Sequence, residues 1–285
     1  MTVWSKTKNR FNLRREGLVC GRLELPFLSL RLNIQAMANP LTDQKRLDVH
    51  NSSVPAVCRS CEARHKGICG ALTPQQLLTL SKDTTKHRIA ADQQISAEGG
   101  QPRSFSNIMS GVVKISKLMA DGRQQIVALQ FAPDLVGRPY DAQNKTSVDA
   151  ATDVKLCTFP VKALEDMIVD SPDLEHRLHQ QNLRELDEAR DLLLALGRKS
   201  ASERVASFIY YIACHVDPET AANQAELSFQ IPLKRADIAD FLGLTLETVS
   251  RQMTKLRQAG VISIVDRRSI EITNFSKLQK LAGVA

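Results

Sequence analysis

Tryptophan is nearly missing from this 285-residue chain: it occurs once, tyrosine three times, and aromatics make up 5% of the whole. Any core must therefore be mainly aliphatic. No apolar run reaches the ~20 residues that a membrane-spanning helix needs. The nearest approach, LPFLSLRLNIQAMA at residues 25–38, is signal-like at its small-x-small end, but Arg22, Glu24 and Arg31 interrupt the segment. There is no P-loop, no G-x-S-x-G and no H-E-x-x-H. Six histidines are present, yet none falls within residues 100–157, where a cupin-type metalloenzyme would place its ligands. The expectation is that this is not an enzyme.

What remains is the composition of a soluble globular protein, with 43% hydrophobic and 24% charged residues. The length allows two domains of ordinary size. A net charge of +7 permits an anionic partner. Most of that excess sits in residues 1–36, where seven Lys/Arg face two Asp/Glu, a local +5 that leaves +2 for the remainder. Residues 1–54 read as a disordered basic extension, with Met37 a possible true start.

Cysteine is scarce but clustered. CRSCEARHKGIC places Cys58, Cys61 and Cys69 within twelve residues, while Cys20, Cys157 and Cys214 lie apart. Disulfide frameworks belong to small secreted chains, and this long chain reads as cytoplasmic. Clustered intracellular cysteines bind metal or sense redox state. Spacing alone leaves iron–sulfur, zinc and disulfide chemistry open.

Beyond this loop, TPQQLLTLSK predicts a helix over 73–82, capped by Thr73 with Pro74 in its first turn. Residues 86–160 hold short strand-like runs, including a hairpin at Asp121-Gly122 and a strand DVKLCTFP closed by Pro160, a pattern that suggests a β-roll. A long helix follows from Pro172 to Leu196. Steps of four and three pick out His179, Asn182, Leu186, Ala189, Leu193 and Leu196, which is coiled-coil spacing and predicts a dimer helix. The polar seam positions imply a weak dimer. Residues 201–216 form another helix, and a polar loop spans 217–227.

The C-terminal stretch RADIADFLGLTLETVSRQMTKLRQAGVISIVDRRSIEITN predicts a helix-turn-helix. Gly243 ends its first helix, Thr245 caps the second, and a two-stranded wing closes around DRRS. Glu247, Ser250 and Arg251 stand at the N-terminal end of the second helix, where such proteins read base edges. Arginine grips guanine, a carboxylate accepts from cytosine and serine bonds either way. Lys234, Lys255, Arg267 and Arg268 are candidate phosphate contacts.

With these residues in view, the chain resembles the CRP/FNR superfamily of bacterial transcription regulators and its oxygen-sensing FNR branch. The likeness covers roughly residues 56–280. It rests on SGVVKISKLMADGRQQIVALQFAPDLVG, SERVASFIYYI, DFLGLTLETVSRQMTKLRQAGVI and the cysteine loop with Cys157, in the C-x2-C-x7-C form of the rhizobial type. The resemblance implies an α+β fold: a cysteine loop and jelly-roll-like β-roll sensor over 55–160, a dimerisation helix over 161–200 and a winged helix-turn-helix over 201–285. It further implies a [4Fe-4S] cluster on Cys58, Cys61, Cys69 and Cys157, assembled when oxygen is scarce. A homodimer would then bind two-fold DNA sites with TTGAT-like half-sites read by Glu247, Ser250 and Arg251, engage RNA polymerase and mainly activate genes of low-oxygen metabolism. Zinc at the four cysteines, or a thiol redox switch, is the alternative. Cys20 and Cys214 match no ligand. A cyclic nucleotide is not expected, because Gly137 is followed by Arg138 rather than Glu, and Lys145-Thr146-Ser147 lacks an Arg-Ser pair.

Overall fold

The computed structural model describes residues 54–59, 61–222, 226–266 and 268–284. The N-terminal extension with Cys20 and Met37, and also Arg267, lie outside the described residues. The cysteine segment comes first, as α1 (Ala56–Arg59), α2 (Glu62–Lys66) and a 3-10 turn at Ile68–Ala71. Helix α3 (Pro74–Ser81) follows, and the expected cap is present: Thr73 and Gln76 exchange side-chain and backbone hydrogen bonds in a capping box.

Eight strands then form the roll: β1 (Thr85–Ile89), β2 (Gln94–Ser96), β3 (Ser104–Ser110), β4 (Val112–Leu118), β5 (Gln124–Phe131), β6 (Leu135–Val136), β7 (Ser147–Ala150) and β8 (Val154–Pro160). They make two antiparallel sheets, ordered β1-β8-β3-β6 and β2-β7-β4-β5. Gly122 takes φ +85 at the tip between β4 and β5, as the Asp-Gly signal requires. Ile108, Val113, Val148 and Leu156 fill the space between the sheets. A second cluster around Phe105, Phe159, Leu164 and Leu174 joins the roll to the cysteine segment through Ile68. Each of these buried side chains contributes roughly 1.5–3 kcal/mol.

Helix α4 (Val161–Asp170) leads into the long α5 (Pro172–Arg198). Among the residues of the expected seam, His179, Asn182, Leu186 and Leu193 are exposed, whereas Ala189 and Leu196 are half-buried. Leu183 and Leu194, which the seam omitted, are exposed as well. The opposite face of α5 is held to the roll by polar side chains. Gln181 accepts from Leu135 N and donates to Leu135 O, both at 3.0 Å.

The rest comprises α6 (Ala201–Val216), α7 (Pro218–Ala222), β9 (Leu227–Gln230), α8 (Arg235–Leu242), α9 (Leu246–Gln258), β10 (Ile262–Ile264), β11 (Ser269–Ile272) and α10 (Phe275–Ala282). Two expectations are corrected. The polar loop 217–227 contains α7, and the wing is three-stranded, ordered β10-β11-β9. β9 adds through a distant pairing that local turn signals do not announce.

Helices α5 and α6 meet at a half-buried polar junction. Glu188 accepts from Tyr211 Oη at 3.0 Å and pairs with His215 Nε2 at 3.4 Å, and His215 stacks on Phe131 at 4.4 Å. Burial pulls the His215 imidazole down, but bonding to Glu188 and Tyr211 O and the charges of Glu188 and Asp134 outweigh it, so its pKa is raised. A raised histidine contributes stability that is fully present below its ordinary value near 6.5 and lost as pH rises through the folded value.

Two predictions follow from this packing. His215→Asn should cost more stability at about pH 6 than at about pH 9 in urea unfolding, because the raised pKa favours the charged pair with Glu188 at the lower pH. Gly137 has φ +115, and a Cβ there would lie 2.3 Å from the Phe105 ring. Gly137→Ala should lower the unfolding free energy by roughly 2–4 kcal/mol with an unchanged denaturant slope.

Candidate metal centre and DNA-reading surface

Four cysteines come near one another from two segments of the chain, the N-terminal loop and β8. Cys58 lies in α1, Cys61 is the N-cap residue of α2, Cys69 sits in the 3-10 turn and Cys157 is in β8, between β1 and β3. All four are free thiols. The loop folds tightly because Gly67 and Gly70 admit close backbone: a Cβ on Gly67 would lie 2.8 Å from Pro133 O, and one on Gly70 would lie 2.9 Å from Arg64 O and from His65 O.

The thiols sense one another. Burial pushes the Cys69 thiol up to about 12, reinforced by Cys157, Cys58 and Cys61. Burial likewise pushes Cys157 up to about 11, with Cys61 and Cys58 adding to it. For Cys58 the direction is the same, from burial and then Cys61, opposed by Arg64 and Lys86. Such thiols stay protonated unless a metal displaces the proton. Asn107 Nδ2 donates to Cys69 Sγ at 3.2 Å. Among the described residues, no three His, Cys, Asp or Glu side chains stand close enough to hold a single metal ion.

Arg177 of α5 ties the loop to the long helix, donating to Gly67 O at 2.8 Å. Sequence spacing gave no sign of Arg177, nor of Lys86 and Asn107, which face Cys157 from the two neighbouring strands. Within the loop, the Arg64 side chain is buried, at 3% exposure.

The second surface is the α8–α9 pair. Gly243 closes α8 at φ +59, and Thr245 Oγ1 accepts from Thr248 N to start α9. Val249, Met253 and Leu256 bury one face of α9 against Ile238 and Phe241. That packing turns Glu247 and Arg251 outward, with Ser250 half-buried between them. Lys255 is exposed and Arg268 half-exposed. Lys234 is engaged elsewhere: its ammonium pairs with Asp92 of the roll at 2.5 Å. Nearby, Lys114 of β4 pairs with Asp237 of α8 at 2.8 Å, largely out of solvent. Gln125 donates to Phe241 O at 3.1 Å. The helix-turn-helix is thereby fastened to the roll of its own chain. Cys214 is half-buried against the large aliphatic core. No described helix is long and apolar enough to cross a membrane.

Residues 86–171 match the cyclic nucleotide-binding domain family, and residues 203–281 the Crp-like helix-turn-helix domain family. The chain is 48% identical over 239 residues to a probable transcriptional activator of Rhizobium leguminosarum bv. viciae, covering 84% of this chain and 98% of that one. It is 35% identical over 227 residues to the transcriptional activator protein FnrL of Cereibacter sphaeroides, covering 79% and 92%. The solved structure of FixK2 from Bradyrhizobium japonicum is similar at a TM-score of 0.64 and 29% identity, over 71% of this chain and 98% of that one. These relatives are regulators rather than enzymes, and the chain belongs to the Crp/FNR family of DNA-binding transcriptional regulators.

Proposed function

We propose that this regulator responds to oxygen through a [4Fe-4S] cluster held by Cys58, Cys61, Cys69 and Cys157. One observation carries the reading: three thiols lie in a loop that Arg177 and Ile68 fasten to the start of α5, and the fourth, Cys157 on β8, is close enough to raise the Cys69 thiol. When bound, the group supplies an oxygen-labile iron centre. The donor chemistry fits it, since such clusters take four thiolates. Zinc would draw all four sulfurs to about 2.3 Å from one point. Zinc also accepts four thiolates, and iron is preferred to it for the likeness to regulators such as FnrL.

With its cysteines ligated, the loop is fixed, and Arg177 passes that order to α5. Leu183, Leu186, Leu193 and Leu194 then offer the outward face on which two copies pair into a homodimer. Two copies of α9 would meet a two-fold site with TTGAT-like half-sites, Glu247, Ser250 and Arg251 reading bases while Lys255 and Arg268 hold phosphates. Lys234 joins them only after leaving Asp92. Activation through RNA polymerase is the expected output. Arg138, spent on Asp141 at 3.1 Å, stands where a cyclic-nucleotide sensor has Glu.

Purification without air should yield a coloured protein with iron and sulfide, whose colour fades in air as sedimentation shifts from dimer to monomer. A colourless protein with one zinc would overturn the cluster while leaving DNA binding intact. Cys157→Ala should lose the iron and weaken anaerobic DNA binding at least tenfold, whereas Cys214→Ala should do neither. Arg251→Ala should weaken binding to a TTGAT two-fold site by roughly 10–100-fold and relax its preference at one base pair, read by titration against a scrambled duplex.

A further inference from the structure

We propose that Asn107 is a positioning residue for the cluster ligands: its amide N–H fixes the Cys69 sulfur and sets how readily the bound cluster is oxidised. The inference rests on the cluster reading above.

Asn107 lies in β3 directly opposite Cys157 of β8 and is 6% exposed. Its Nδ2 points at Cys69 Sγ, 3.2 Å away, so one side chain touches the sensing turn while its backbone pairs with the distant ligand strand. Its Oδ1 is buried with no hydrogen-bond partner among the described residues. A buried amide carbonyl left unpaired costs stability, and an apolar residue of the same shape would serve the strand without that cost. Folding therefore gives no reason for an amide here, whereas a sulfur in need of a donor does.

Hydrogen bonds to ligating sulfurs stabilise the more negatively charged, reduced state of an iron–sulfur centre and so raise its potential. Loss of the donor should make the centre easier to oxidise. Positive charge nearby acts in the same sense, from buried Arg64 and from Lys86, the other strand partner of Cys157. Asn107 differs from them in direction, because its bond is aimed at one named sulfur.

The test uses the full chain purified without air, as wild type, Asn107→Leu and Asn107→Ser. Leucine keeps the bulk and removes the donor; serine loses bulk and keeps a hydroxyl donor. Iron and sulfide content, the midpoint potential and the half-life of the visible band in air are measured on each. Iron and sulfide should be unchanged in the leucine variant, its potential lower and its band lost at least threefold faster, with serine between leucine and wild type. Serine faring worse than leucine, or leucine matching wild type, would overturn the role of Asn107 while leaving the cluster in place. Wild type without iron and sulfide would overturn the cluster reading itself. Asn107→Val replaces the leucine variant if thermal melting shows the latter unfolded.

Discussion

The grip of Gln181 on both backbone groups of Leu135 is the contact on which the architecture turns. It is a two-point bond made out of solvent, and Glu185 reinforces it by accepting from Gln181 at 2.7 Å and from Gln130 at 2.8 Å. Buried polar groups of this kind are expensive unless fully paired, and once paired they define one geometry. Along the same face of α5, Arg177 lies one turn before Gln181 and reaches the cysteine loop. Glu188 lies two turns after it and reaches Tyr211 and His215 of α6. One helix face thus connects the thiols, the roll and the helix that leads to the DNA-reading domain.

This arrangement explains why Leu183, Leu186, Leu193 and Leu194 of α5 face away from the roll, while Leu174, Leu178 and Leu192 pack inward. An amphipathic helix normally turns its apolar stripe to its own core. Here the inward stripe carries Arg177, Gln181, Glu185 and Glu188, so Leu186 and Leu193 are left outside at 45% and 69% exposure. The heptad pattern in the sequence marked the outward face, and the polar inward face was hidden among ordinary charged residues. Leu196 departs from the pattern, packing near Gly243 at the helix-turn-helix.

Features encoded by short-range chemistry were legible: the Thr73 and Thr245 caps, the Gly122 and Gly243 turns and the short strands of the roll. These depend on residues a few positions apart, where φ preference and capping act. Asn107, Lys86, Arg177 and β9 depend on strand register or on contacts spanning many tens of residues, and no local pattern encodes them. The cysteines fell between these cases. Their spacing left iron–sulfur, zinc and disulfide chemistry open, and only the register of Asn107, Cys157 and Lys86 brings polar donors around the sulfurs. Lys234 looked free because sequence cannot show Asp92 beside it.

The pairs Lys114–Asp237 and Lys234–Asp92 hold α8 to the roll, yet they leave Glu247 and Arg251 in solvent. A switch in such a molecule has no need to uncover its reading helix. What one chain lacks is the second reading helix, placed one helical turn of DNA away, about 34–36 Å. In the proposed homodimer, pairing of two chains would supply that distance. The outward seam of α5 suits this task because it is weak: four leucines share it with His179, Asn182 and Arg190, all exposed. A strongly apolar seam would pair regardless of any signal, since a ligand moves an equilibrium only by its differential affinity for the two states. On the proposed reading, a marginal seam whose N-terminal end Arg177 ties to the cysteine loop would leave the balance within reach of whatever those thiols hold.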